Sequence, residues 1–229
     1  MTDYEQFGKD YFRNRIGNDP VRLLSFLREK RYLVRFMGSE VFEKGKILDV
    51  GCSTGEFIEA IGWNRTGAYG MEISDFARTL AQDKGIRFDK TLFNTRDYFD
   101  VVVFRGTIQY LPNPFDCISG AFSCLKPGGH IVFLATPNSN SPYYLLFRTL
   151  PFLEEGLNYL IPNDVSLSMN LRNCGFEIVN VEYPYLRSPY AHPIRDHLKF
   201  VAKLICRTRD RFPFWRSMMS VVARKPGDR

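Results

Sequence analysis

The stretch Ile47-Leu48-Asp49-Val50-Gly51-Cys52-Ser53-Thr54-Gly55-Glu56-Phe57 decides the fold of this chain. Ile47, Leu48 and Val50 form the short apolar run of a strand covered on both faces. Gly51 and Gly55 allow a sharp turn and let a ligand approach bare backbone. Thr54 is placed to cap the helix that follows, whose first N–H groups favour an anionic ligand group such as a carboxylate.

Two other readings of the same residues fail on context. Gly51-Cys52-Ser53-Thr54-Gly55 has the form G-x-S-x-G, the nucleophile elbow of α/β-hydrolases. That elbow needs an acid and then a His downstream, and it follows several earlier strands; here 47–50 is the first convincing strand. A dinucleotide loop needs G-x-G-x-x-G, and the glycine spacing here is wrong.

Outward from this loop, strands and helices alternate. Asp19-Pro20 starts a helix, with Asp as N-cap and Pro in the first turn, that runs to about Met37 and ends at Gly38. Downstream, strand 68–72, helix 75–84, a short strand near 86–89 and strand 100–105 follow in order. A helix near 114–125 then leads through the turn Lys126-Pro127-Gly128-Gly129 into strand 130–135. A helix near 165–174, strand 176–183 and a last strand from Met218 to Arg224 complete the pattern. Alternation of this kind predicts a doubly wound sheet with helices on both faces. Residues 1–229 are expected to form one domain. Residues 1–40 are a helical N-terminal cover, and 139–163 and 187–213 are insertions on the substrate side.

Four motifs fall in register with this order. After the 51–55 loop comes Gly70-Met71-Glu72-Ile73-Ser74, in which Glu72 closes the second strand, where a carboxylate can accept both ribose hydroxyls. Next is Phe99 to Pro114, containing Arg105-Gly106-Thr107-Ile108-Gln109-Tyr110-Leu111-Pro112, and then Leu125-Lys126-Pro127-Gly128-Gly129. Together these resemble the motifs of class I S-adenosylmethionine (SAM)-dependent methyltransferases. The following Ala135-Thr136-Pro137-Asn138 is similar to the branch containing ubiquinone-biosynthesis O-methyltransferases and sugar or polysaccharide methyltransferases. The resemblance is strong over 45–138 and weaker over 165–225. It implies a Rossmann-like, seven-stranded, mostly parallel sheet with its last strand antiparallel. It also implies SAM as cofactor, held by Asp49, Gly51, Cys52, Ser53, Gly55, Glu72, Ile73, Leu92 and Arg105.

The chain departs from the family pattern in three places. Ser53 stands where a middle Gly is usual, and Gln109-Tyr110 replace a Glu-His pair. No clear acid follows the third strand to read the adenine amino group, because Asp89 sits slightly early.

Of 229 residues, 45% are hydrophobic and 24% charged, as in ordinary globular domains. The N-terminus lacks the basic and apolar regions of a signal peptide. The five cysteines are scattered with no C-x-x-C, so no zinc site or disulfide framework is expected, and a cytoplasmic location is. No metal is expected in the reaction. The net charge of +6 is uneven: residues 187–229 hold 11 Lys and Arg against three Asp.

Methyl transfer to oxygen calls for a proton acceptor beside the acceptor hydroxyl. Tyr110 lies after strand 100–105, within the third motif, and His192 lies in a loop of the second insertion; these are the candidate catalytic residues. His130 and His197 read as structural. In the insertion, Ile194, Leu198, Val201 and Leu204–Ile205 make one helical face and Arg195, Lys199, Lys203 and Arg207 another. That basic face is expected to meet an anionic small-molecule or glycan acceptor, or, as a peripheral contact through 194–207, a membrane surface. The aromatic cover at 142–162 raises the alternative of a quinone or lipid-like acceptor. Nucleic acid is not expected, since no N-P-P-Y-type motif or RNA-binding appendage is present. A binding subunit that has lost its chemistry is the non-enzymic alternative.

Overall fold

The structure, a computed structural model, describes Phe12 and residues 19–89, 92–151, 153 and 158–227, with residue 92 by its backbone only. The rest of the 1–18 segment expected as cover lies outside the described residues.

Helix α1 (Pro20–Met37) begins as its sequence predicts. The Asp19 carboxylate accepts from Val21 N–H at 2.9 Å, and Gly38 closes the helix with φ 74°. Such a cap contributes about 1 kcal/mol. A short helix α2 (Glu40–Lys44) leads into β1 (Ile47–Val50), all four residues of which are buried. There follow α3 (Glu56–Ala60), β2 (Ala68–Met71), α4 (Asp75–Asp83), β3 (Phe99–Arg105) and α5 (Pro114–Cys124). Strand β4 (Leu125–Pro137), α6 (Pro142–Phe147), α7 (Asp164–Asn173), β5 (Glu177–Glu182), α8 (Pro193–Cys206) and β6 (Met218–Arg224) complete the chain.

The sheet has the order β2-β1-β3-β4-β6-β5. Strands β2, β1, β3 and β4 are parallel, and β6 runs antiparallel to both its neighbours. Alternation along β3 divides the core. Val102 and Phe104 pack with Ile118 and Cys124 of α5 and Leu167 and Leu171 of α7. Val101 and Val103 pack on the other face with Phe26 and Leu33 of α1, Phe57 of α3 and Ala81 of α4. Helices therefore cover both faces, as the alternating pattern requires. Each of the larger of these side chains, Val, Ile, Leu and Phe, contributes about 1.5–3 kcal/mol by leaving water.

Among the described residues the sheet has six strands and not the expected seven. The segment 86–89 makes only a single bridge, Tyr69 to Arg87, with Arg87 N–H bound to Ala68 O and Gly70 N–H to Arg87 O. Pairing goes no further because β2 stops at Met71, and the carbonyl of Glu72, the next residue to face that edge, accepts from Arg78 Nη2 at 3.3 Å. Likewise, the turn expected at 126–129 is absorbed into β4. It survives as a register shift between Phe99 and Val101 and a positive φ at Gly128.

The two insertions pack on each other. Tyr143, Leu150 and Leu153 of the first form a separate small core with Phe212 and Phe214 of the second. The Phe200 and Phe214 rings stack at 4.3 Å between centroids. Much of the aromatic character of 142–162 is thus used to build this cover.

Candidate active site

Two cavities open at the C-terminal ends of the parallel strands, the edge where doubly wound sheets hold their ligands. The first, of about 690 Å³, lies over β1, β2 and β3 and is lined by residues of the 49–53, 70–73 and 105–107 segments. The second, of about 870 Å³, lies between α1, the 184–190 segment and the end of β3. Arg22, Arg105, Gly106 and Tyr110 belong to the walls of both.

The glycines of the first loop are required by the protein itself. Gly51 has φ 76°, and a Cβ there would sit 2.4 Å from the Thr107 side chain at the end of β3. Gly55 has φ 77°, and its Cβ would sit 2.5 Å from Ile86. Gly55 therefore packs behind the loop and does not line either cavity. Thr54 is buried and does not cap α3; Gly55 is the N-cap residue, with no side-chain bond, because the loop turns through the left-handed region there.

Ser53 also lies in that region, at φ 52°. This explains why glycine is usual at its position. Its N–H donates to Glu72 Oε2 at 2.9 Å, and Glu72 Oε1 accepts from Ile73 and Ser74 N–H at 2.8 and 2.9 Å. A carboxylate oxygen has about two acceptor sites. Among the described residues Oε1 is filled, and Oε2 has one site left facing the cavity. That leaves room for one ribose hydroxyl as the site stands.

Asp49 is 2% exposed, and its Oδ1 has no donor among the described residues. Burial, aided by the charges of Glu72 and Glu29 and opposed by Arg105, pushes its carboxyl up to about 7. A buried acceptor without a donor fits a cationic ligand group, and SAM carries an ammonium at its amino-acid end. With the Glu72 acceptor on the same cavity, the residues present fit this cofactor.

The remaining expected cofactor residues are distributed as follows. Cys52 and Ile73 line the first cavity; burial pushes the Cys52 thiol well up, so it is no nucleophile. Leu92 begins a single turn at Leu92–Asn94, and its neighbour Phe93 is the wall residue. Arg105 lines the cavity but is held by Glu29, with Nε and Nη2 donating at 2.8 and 3.3 Å, and stacks 4.5 Å over the Phe26 ring.

Tyr110 stands at the junction of the two cavities. His192 does not reach either wall. It is exposed, and its backbone N–H is tied to Asp196 Oδ2 at 2.8 Å, at the start of α8. The loop that carries it is anchored by this bond and by Tyr185 Oη, which donates to the same oxygen. His197 has its Nδ1 2.6 Å from Pro193 O, while its Nε2 accepts from Trp215 Nε1 at 3.0 Å, so its ring is committed to structure. His130 pairs across the sheet with Arg224, and burial lowers its pKa.

The basic face of α8 is not on the site. Lys203 is buried, with Nζ bound to Thr208 O and, at 2.9 Å, to Asp210 O. Arg195 and Lys199 line neither cavity; Lys199 lies over the Phe212 ring instead. Packing of the two insertions turns Lys203 inward, while Arg195 and Arg207 stay exposed along with the aliphatic face, with Ile194 83%, Leu198 68% and Ile205 76% exposed. Sequence reasoning missed the contribution of α1, whose Arg22 pairs with Glu56 at 3.0 Å in the cavity wall. It also undervalued Asp89, which lines the first cavity beside Phe88. The i, i+3, i+7 spacing of Arg28, Arg31 and Arg35 was a usable signal for the second cavity. Among the described residues no three His, Cys, Asp or Glu come together as a metal-holding group. No described helix is long and apolar enough to cross a membrane.

The chain is similar to known proteins in sequence and fold. A family model described as a methyltransferase domain matches residues 23–181. The ubiquinone biosynthesis O-methyltransferase of Thiobacillus denitrificans is 32% identical over 112 residues, covering 44% of this chain and 48% of that protein. The protein of the same name from Azoarcus is 28% identical over 156 residues, covering 59% of this chain and 66% of that one. The matches thus span about half to two thirds of these relatives. A SAM-dependent methyltransferase from Archaeoglobus fulgidus superposes with a TM-score of 0.66 at 21% identity, over 97% of this chain and all of its own. With the family model matching well over half its length, the chain belongs to the SAM-dependent methyltransferases.

Proposed function

We propose that the protein transfers the methyl group of SAM to a hydroxyl oxygen of a small-molecule or glycan-precursor acceptor. The observation that carries this reading is the junction of two cavities at Arg105, Gly106 and Tyr110. One has the acceptors that fit SAM, and the other offers space for a second molecule beside it. SAM supplies the chemistry, an electrophilic methyl on a sulfonium. The chain's task is then alignment and exclusion of water. Tyr110, at the junction, is the residue proposed to touch the acceptor hydroxyl. The roles proposed for Glu72 and Asp49 are a ribose hydroxyl and the ammonium of SAM. Five free cysteines favour a reducing, cytoplasmic setting.

Incubation with methyl-labelled SAM and a panel of hydroxylic acceptors tests the reading. A labelled methyl ether is expected. Label on nitrogen or carbon overturns the assignment to oxygen, and tight SAM binding with no turnover on any acceptor class favours a binding subunit.

The exposed stripe Ile194, Leu198, Val201 and Ile205 favours a second reading, a quinone or lipid-like acceptor met at a membrane surface. The names of the curated relatives point the same way. Activity that requires vesicles or detergent supports this reading; equal activity without them sinks it.

A further inference from the structure

The second cavity carries an unusual charge. Its wall holds six arginines, Arg22, Arg28, Arg31, Arg35, Arg105 and Arg187, against three carboxylates, Asp19, Glu29 and Glu182. The inner arginines are already matched: Arg105 by Glu29, and Arg22 by Glu56 outside this wall. Asp19 is occupied in capping α1. Arg28 Nη1 donates to Arg187 O and so joins α1 to the turn at Tyr185–Arg187. What remains is an outer group of Arg31, Arg35 and Arg187 facing Glu182. Arg187 Nη1 is 3.3 Å from Glu182 Oε2, while its own side chain is 68% exposed. Neither Arg31 nor Arg35 is within ion-pair distance of a carboxylate among the described residues. The outer group thus has an excess of unmatched guanidinium charge in a concave site.

A second, independent feature lies deeper in the same wall. Gln109 is 2% exposed; its Nε2 donates to Gly106 O at 3.0 Å, and its Oε1 has no donor among the described residues. A buried amide oxygen left open in a cavity wall is suited to receive a hydroxyl donor from a ligand. It sits next to Tyr110, at the junction with the cofactor cavity. The cavity is therefore polarised: a hydroxyl acceptor at the cofactor end, guanidinium forks at the outer end.

We propose that this cavity takes a hydroxylic acceptor carrying a phosphate or diphosphate group, with the hydroxyl at Gln109 and the phosphate held by Arg31, Arg35 and Arg187. This names the substrate class of the methyl-transfer reading and rests on it. Planar guanidinium forks match phosphate oxygens two at a time, and several of them suit a dianion better than a single carboxylate. The same charge in a concave wall raises the local concentration of such an anion.

Inorganic pyrophosphate serves as the probe, titrated by calorimetry into the full chain with S-adenosylhomocysteine present. Saturable binding is expected, weakened at least tenfold in the double variant Arg31→Gln, Arg35→Gln. Both residues are exposed, so the melting temperature should hold, and the affinity for S-adenosylhomocysteine should stay within twofold. A control pair, Arg195→Gln with Lys199→Gln, lies outside the cavity and should leave pyrophosphate binding unchanged. No binding at millimolar pyrophosphate, or an equal loss in the control pair, overturns the proposal. Variant-sensitive binding to phosphatidic acid vesicles without binding to pyrophosphate overturns it in favour of a lipid surface. Failure of the wild-type chain to bind S-adenosylhomocysteine is a separate result and counts against the methyl-transfer reading itself.

Discussion

The N–H of Ser53 and the carboxylate of Glu72 are bonded at 2.9 Å, which locks the first glycine loop to the end of the second strand. Glu72, proposed as the ribose acceptor, is therefore also a brace. Replacement by Ala removes that acceptor and also frees three backbone donors, those of Ser53, Ile73 and Ser74. Hydrogen bonds to a charged group contribute about 1.5–3 kcal/mol each. Glu72→Ala should weaken S-adenosylhomocysteine at least tenfold. The melting temperature of the ligand-free protein should fall as well, and a calorimetric titration with a thermal scan reads both. A loss of affinity with an unchanged melting temperature would show that the brace is unimportant.

Ser53 bears backbone strain at φ 52° that glycine would not. Ser53→Gly should stabilise the fold by about 0.5–1 kcal/mol and leave the bond to Glu72 intact, since it uses the backbone N–H. Ser53→Val, β-branched in the same region, should destabilise by about 1–2 kcal/mol. Urea unfolding of the two variants gives the ranking.

Burial pushes the Asp49 carboxyl up to about 7, and its proposed partner is the cofactor's ammonium, so affinity is expected to depend on pH. On that reading the ionised form binds more tightly than the protonated form. Affinity for S-adenosylhomocysteine should rise with pH up to about 7 and then level, and binding near neutrality should release protons. Titrations at pH 6, 7 and 8 in buffers of different ionisation enthalpy measure this. For folding the sign is opposite. A carboxyl whose pKa is raised favours the folded state most below the usual carboxylate range, and that contribution is lost as pH rises toward 7. Asp49→Asn should abolish the pH dependence of binding and remove this destabilisation at pH 8.

Asp164, at the start of α7, accepts from Asn140 Nδ2 at 2.9 Å, from Arg216 Nη2 at 2.6 Å and from Tyr183 Oη. Burial opposes its ionisation, but the hydrogen bonds from Tyr183, Asn140 and Arg216 outweigh it and hold its carboxyl below the usual range. A depressed carboxyl contributes stability above the unfolded pKa, and this stability is lost as pH falls through the folded value. Arg216→Ala should cost about 1–3 kcal/mol at pH 7 and less at pH 3. Denaturant unfolding at the two pH values is the check.

Lys203→Met should destabilise the cover, because the ammonium satisfies two carbonyls, Thr208 O and Asp210 O, in a buried place. A loss of about 1–3 kcal/mol is expected, with affinity for S-adenosylhomocysteine unchanged. If kinetics instead showed a raised KM for the acceptor with full stability, Lys203 would be a substrate contact after all.

Much of this protein was legible in its sequence because the signals are local. A short apolar run at Ile47, Leu48 and Val50, two glycines and an acid closing the next strand specify the β1 loop and Glu72. Val101 to Phe104 specify the central strand by burial on both faces. The cap at Asp19 and the break at Gly38 need only neighbouring residues. Strand count was less legible, because whether 86–89 joins the sheet depends on where β2 runs out of free backbone groups, which its own residues do not state.

The chain's sequence by itself determined the doubly wound sheet, the cofactor edge and the family, since each depends on short-range pattern and backbone geometry. Only the tertiary structure decided which charges line the second cavity. A helix displays two faces in its sequence, but which one is buried depends on the surface it meets. The small core formed by Tyr143, Phe212 and Phe214 draws the Lys203 face of α8 inward and leaves its aliphatic face outside. The outer arginines of the second cavity come instead from α1 and the 185–187 turn, far apart in sequence and brought together by packing on the sheet.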